Sequence, residues 1–123
     1  MLEKKVLYVE DSPTMRRIIA NSLKKIGFKD YVEAENGVDA LKKIEGQSID
    51  IILTDWNMPE MNGEEFVRTI RSDERYKDTP ILMITTRGMR DDVLAAVKIG
   101  VDGYVVKPFT PDLLKKKIME IVN

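Results

Sequence analysis

The chain contains no cysteine and no histidine. Those absences exclude disulfides, thiolate nucleophiles, Ser-His-Asp triads and the common zinc sites, all of which need a thiol or an imidazole. Any chemistry must use carboxylates, hydroxyls and lysine. Long apolar runs are missing too. The opening MLEKKVLYVED has too short an apolar stretch for a secretory signal, and no run approaches the ~20 residues of a membrane span. The protein is therefore expected in the cytoplasm. Nor is there an excess of either charge: 20 basic residues face 21 acidic ones, for a formal net charge of −1. Such a chain has no field to hold nucleic acid or an anionic membrane. The nearest thing to a charge cluster, LLKKKIMEIV, reads as the solvated face of an amphipathic helix.

What is present suffices for one domain. A chain of 123 residues with 43% hydrophobic content can bury one core and leaves no room for a second. Residues 1–123 are expected to form a single domain with no output domain attached. Apolar runs at Lys5–Glu10, Tyr31–Ala34, Asp50–Asp55, Pro80–Thr85 and Gly103–Lys107 read as five strands. Three of them are apolar without alternation, as expected of strands covered on both faces. Between them, Met15, Ile18, Ile19, Leu23 and Ile26 fall at helical spacing, as do Val38, Leu41 and Ile44, then Phe66, Val67 and Ile70, then Val93, Leu94 and Val97, and finally Leu114, Ile118, Ile121 and Val122. Gly27 and Gly100 stand where helix C-terminal glycines belong, and Pro111 suits the first turn of the last helix. Only Ser72–Thr79 looks like a longer loop. A strand–helix order repeated five times calls for an α/β fold, a parallel sheet with helices on both faces and right-handed crossovers.

In such a sheet ligands bind beyond the carboxyl ends of the strands. The first strand ends in Glu10 and Asp11, the third in Asp55, the fourth in Thr85, and the fifth in Lys107 followed by Pro108. Each has a bland reading alone: Asp11 with Ser12 can cap a helix, Thr85 can be a turn residue, Lys107 an ordinary surface lysine. Their arrival at one rim is what argues for a site. A phosphate-binding turn after the first strand would require glycines, whereas VEDSPTM offers two acids, which repel phosphate and attract a cation. At ~4 Å and an effective dielectric near 20, each pair of like charges costs on the order of 4 kcal/mol. Lys107 can offset one of the three carboxylates, and a divalent cation suits the remainder. Hard oxygen ligands without histidine or cysteine favour Mg2+. Asp55 can then act as more than a ligand, since a carboxylate can attack phosphorus to form an aspartyl phosphate. The metal and Lys107 would neutralise charge on the transferred oxygens, and the Thr85 hydroxyl can donate to one of them.

The segments EDSPTMRRI, TDWNMPEMNG and GYVVKPFT resemble, over the entire chain, the response-regulator receiver domain, and most closely its single-domain chemotaxis branch. The resemblance implies a flavodoxin-like doubly wound (βα)5 fold with strand order 2-1-3-4-5. It implies that Asp55 is the phosphoacceptor, that Glu10 and Asp11 are the acidic pair holding Mg2+ with Asp55, and that Asn57 gives its backbone carbonyl to the metal. Lys107 would contact the phosphoryl group, with a cis peptide between Lys107 and Pro108. Thr85 and Tyr104 would form the switch pair, the hydroxyl moving toward the phosphoryl group and the ring turning inward behind it. Two positions depart from the family's pattern. Glu10 replaces the usual Asp, so its longer arm is expected to reach the metal through water rather than as a close ligand, and Arg87 stands where the best-known members carry an acid.

The function implied is a phosphorylation-activated switch rather than an enzyme, one that assists its own phosphorylation and dephosphorylation. The donor would be a histidine kinase on a separate protein. The response would appear on the face of the fourth helix, fifth strand and fifth helix, which would bind a target such as the flagellar motor switch. A phosphatase is a further expected partner, and the protein is expected to be a monomer. The alternatives are a receiver acting as a phosphate sink and a magnesium phosphohydrolase resembling the haloacid dehalogenases. The latter need a second aspartate two residues after the nucleophile, where this chain has Asn57.

Overall fold

The computed structural model describes residues 2–86 and 90–122. The elements alternate along the chain: β1 (Val6–Val9), α1 (Pro13–Ile26), β2 (Tyr31–Ala34), α2 (Gly37–Lys43), β3 (Ile51–Asp55), α3 (Gly63–Arg71), β4 (Ile81–Thr86), α4 (Arg90–Ile99), β5 (Gly103–Lys107) and α5 (Pro111–Ile121). Every strand pairing is parallel and the sheet runs β2-β1-β3-β4-β5. No helix among the described residues is long and apolar enough to cross a membrane.

The near-continuous apolar strands make sense once both faces are covered. Because side chains alternate across a strand, Leu7, Ile52 and Met83 join one core with Ala40 of α2, Phe66 of α3 and Ala96 of α4. Tyr8, Leu53 and Leu82 join the other with Ile19 and Leu23 of α1 and Leu114 and Ile118 of α5. Each fully buried Leu, Ile or Phe contributes ~1.5–3 kcal/mol of hydrophobic stabilisation. A one-residue slip in any strand would exchange the two sets, so the register is strongly specified.

Polar residues end the helices. Ser12, Asn36, Asn62 and Thr110 accept hydrogen bonds from the backbone N–H of Met15, Asp39, Glu65 and Leu113 at the starts of α1, α2, α3 and α5. Gly27 ends α1 with φ of 117°, and Gly100 follows α4 with φ of 110°. Several strand ends differ by one residue from the sequence reading: β1 stops at Val9 rather than Glu10, β3 begins at Ile51 rather than Asp50, and β4 begins at Ile81 rather than Pro80. β1 begins at Val6 rather than Lys5, whose N–H donates to the Asp50 carboxylate at 2.8 Å while its carbonyl accepts from Asp50 and Ile51. β4 runs on to Thr86, paired with Lys107.

The β3–α3 connection turns tightly against the sheet. Gly63 donates its N–H to the Trp56 carbonyl at 2.8 Å, and a Cβ at Gly63 would lie 2.7 Å from the Trp56 Cα and 2.8 Å from the Asp55 carbonyl oxygen. Both obstacles are backbone and cannot swing aside. Gly63→Ala is therefore expected to lower unfolding stability by about 1–3 kcal/mol through overpacking, measured by urea denaturation; an unchanged midpoint would show that this close approach is not rigid.

Candidate functional site

The strand order sets β1 beside β3, with Val9 opposite Thr54 in register. The next residues along each strand, Glu10 and Asp55, therefore emerge together at the point where the order reverses, with Asp11 following. Carboxylate oxygens of Glu10, Asp11 and Asp55 all lie within 4.8 Å of one another. Glu10 and Asp55 are buried, at 1% and 6% exposure, whereas Asp11 is exposed.

Lys107, the last residue of β5, reaches this cluster across the sheet edge. Its Nζ donates to Glu10 Oε1 at 2.8 Å and stands 3.3 Å from Asp55 Oδ2. The remaining oxygens are held by backbone: Glu10 Oε2 accepts from the Ser12 N–H at 3.1 Å, and Asp55 Oδ1 accepts from the Asn57 N–H at 3.4 Å.

Burial disfavours the charged form of a carboxylate. It pushes Glu10 up to about 7, against the opposing hydrogen bond from Lys107. Burial also raises Asp55, with the Lys107 charge opposing. For Lys107, burial acts to lower the pKa, but the bond to Glu10 and the charge of Asp55 outweigh it and hold the ammonium above the usual lysine range. One ammonium facing three carboxylates leaves the site short of positive charge.

The other sequence-predicted residues lie around this centre. Thr85 is buried and its hydroxyl donates to the Thr86 carbonyl at 3.3 Å. Tyr104 is exposed, with Lys117 Nζ 5.6 Å from its ring centroid. Asn57 is exposed. The Lys107–Pro108 peptide is cis. Arg87 lies outside the described residues. Sequence reasoning missed Arg16, whose Nη1 donates to the carbonyls of both Glu10 and Asp11, at 2.8 and 3.1 Å. A signal was present: a long side chain in the first turns of a helix leans toward the N-terminus, here toward the acids.

The raised Glu10 and Asp55 give a pH dependence of definite sign. Between its ordinary value and about 7, Glu10 holds more protons in the folded protein than in the unfolded chain, and the raised Asp55 acts in the same direction, so stability falls as pH rises through that window. For one such group the slope is on the order of 1 kcal/mol per pH unit. Thermal denaturation in chelator should show the melting temperature rising as pH is lowered from neutrality toward 5.5, and Glu10→Gln should flatten the dependence; a wild-type melting temperature that falls over that range would contradict the assignment.

Comparison with known proteins places this geometry in a family. The family model for the response regulator receiver domain matches residues 6–119. The chain is 52% identical over 120 residues to chemotaxis protein CheY1 of Helicobacter pylori, covering 97% of both sequences. Its structure superimposes on Vibrio cholerae chemotaxis protein CheY4 with a TM-score of 0.90 at 37% identity, covering 97% of this chain and 98% of that one. It also matches the receiver domain of a sensor histidine kinase from Pseudomonas aeruginosa, with a TM-score of 0.87 at 27% identity and 98% coverage of each, in a structure with a magnesium ion coordinated in the active-site cleft. With its doubly wound sheet, its acid cluster at the switch point and a lysine at the end of β5, the chain belongs to the response-regulator receiver domain family, whose members are phosphorylation-activated signalling switches.

Proposed function

We propose that residues 1–123 act as one receiver domain of the chemotaxis type, in which Asp55 accepts a phosphoryl group from a separate histidine kinase. The observation that carries the reading is the buried Asp55 carboxylate held 3.3 Å from the Lys107 ammonium beside the Glu10–Asp11 pair. Attack by an Asp55 oxygen forms a P–O bond as the P–N bond of the kinase phosphohistidine breaks. The electron pair returns to the imidazole, which takes up a proton.

The donor set fits Mg2+: three carboxylates from two strand ends, gathered without histidine or cysteine. Glu10, Asp11 and Asp55 would hold the ion together with the Asn57 carbonyl, and when bound it supplies positive charge opposite the phosphoryl oxygens. Lys107 neutralises another of those oxygens. Thr85 exchanges its bond to the Thr86 carbonyl for one to the phosphoryl group, and Tyr104 turns inward behind it. Phosphorylation adds about −1.5 to −2 charge, which shifts a pre-existing equilibrium in the face of α4, β5 and α5. That face then binds its target, such as the flagellar motor switch protein, until the domain's own hydrolysis or a phosphatase removes the group. The phosphohydrolase alternative is not favoured, because Asn57 cannot transfer the proton that multiple turnover needs, and a phosphate sink has no specific observation in its favour.

Acetyl phosphate with Mg2+ should add one phosphoryl group to the protein, mapped by mass spectrometry to Asp55 and lost in Asp55→Asn. Full-yield labelling of that variant would sink the assignment. Lys107→Ala should still be labelled yet show no phosphorylation-dependent gain in binding to the motor switch protein; normal capture by the labelled variant would contradict its role in the switch.

A further inference from the structure

Arg16 has no part in the chemistry above, yet it is the cation most closely tied to the backbone of the acidic pair. It lies on the first turns of α1 with its side chain only 15% exposed. One guanidinium nitrogen, Nη1, donates to the carbonyls of two consecutive residues, Glu10 at 2.8 Å and Asp11 at 3.1 Å. From its other side Nε stands 3.5 Å from Glu33 Oε2. The other oxygen of Glu33 accepts from the hydroxyl of Tyr8 at 3.0 Å. Tyr8 is buried in β1, directly opposite Glu33 of β2. The guanidinium is thus anchored to the sheet at one end and grips the end of β1 at the other.

The two gripped peptides carry the carboxylates that diverge at the site: Glu10 turns in to Lys107, and Asp11 is exposed. Holding both carbonyls fixes the peptide planes from which these side chains leave. We infer that Arg16 is a positioning residue that sets the divalent-cation affinity of the Glu10–Asp11 pair by clamping their backbone, an inference that rests on the cation-site reading above. Electrostatics alone argues the opposite. A positive charge this close to the acids repels an incoming cation, so removing it would tighten binding if placement did not matter. The two effects have opposite signs, which makes the clamp testable.

The experiment is a Mg2+ titration at fixed pH and well below the melting temperature, followed by Trp56 fluorescence and by calorimetry. Outer-shell partners of metal ligands typically account for about 10–100-fold in affinity. Arg16→Met is expected to weaken Mg2+ binding by about 10-fold. Arg16→Lys keeps the charge and can reach a carbonyl but has no Nε for Glu33, so it should recover part of the loss. Glu33→Gln, which loosens the anchor while leaving the gripped carbonyls untouched, should show a smaller loss. Ile19→Val, on the core side of the same helix, serves as a control that lowers stability without moving the Mg2+ affinity. Unchanged or tighter binding by Arg16→Met overturns the clamp, as does an equal loss in Ile19→Val. Should Arg16→Met fail to fold, unchanged affinity in both Arg16→Lys and Glu33→Gln overturns it. A wild-type protein that binds no Mg2+ overturns the cation-site reading itself, and the clamp with it, whereas wild-type binding with an inert Arg16 overturns the clamp alone.

Discussion

Lys107 Nζ stands 2.8 Å from Glu10 Oε1 and 3.3 Å from Asp55 Oδ2, at a rim where Asp11 also arrives. Three carboxylates and one ammonium cannot sit together in a partly dry site without either taking up protons or recruiting a cation. The raised Glu10 and Asp55 express the first response, and the receiver fold is organised around the second. The arrangement depends on the parallel register, since β1, β3 and β5 all end at the same edge and only that common polarity brings an N-terminal acid pair within reach of a lysine 97 residues further along.

The opposite edge is built for permanence. Arg71, at the end of α3, donates to the carbonyls of Tyr76, Lys77 and Thr79 and to that of Gly100, and pairs with Asp102 at 3.0 Å. Asp102 in turn accepts from the Ile81 N–H at 2.8 Å. One side chain thereby ties the α3–β4 connection to the α4–β5 connection, using carbonyls that a loop would otherwise leave to water. Stability is gathered at the strand starts and charge imbalance at the strand ends, with the two apolar layers between them. A domain divided in this way can alter its reactive rim without loosening its core.

Much of this was legible in the chain because its signals are local. Ser12 caps a helix for reasons visible in the side chain alone, and Gly27 and Gly100 adopt the positive φ that their places at helix ends suggested. The runs DIILTD and PILMIT read as buried strands, and from Ile51 and Ile81 onward they are. Asp55, Glu10, Asp11 and Lys107 were legible as strand-end residues of a common rim. Arg16 and Arg71 were not, because their partners are backbone carbonyls, which carry no residue identity. The outward state of Tyr104, with Lys117 near its ring, was equally invisible, since it depends on how α5 lies against β5.

The sequence by itself determined the order of elements, the apolar layers and the kinds of group delivered to the rim, since period, propensity and capping act over a few residues. Only the tertiary structure decided that Lys107 bonds directly to Glu10, that Glu10 and Asp55 are dry while Asp11 is wet, and that Arg16 grips the acids from behind. Desolvation and charge proximity are properties of distance through space. They exist only after residues far apart in the chain have been brought to one edge of the sheet.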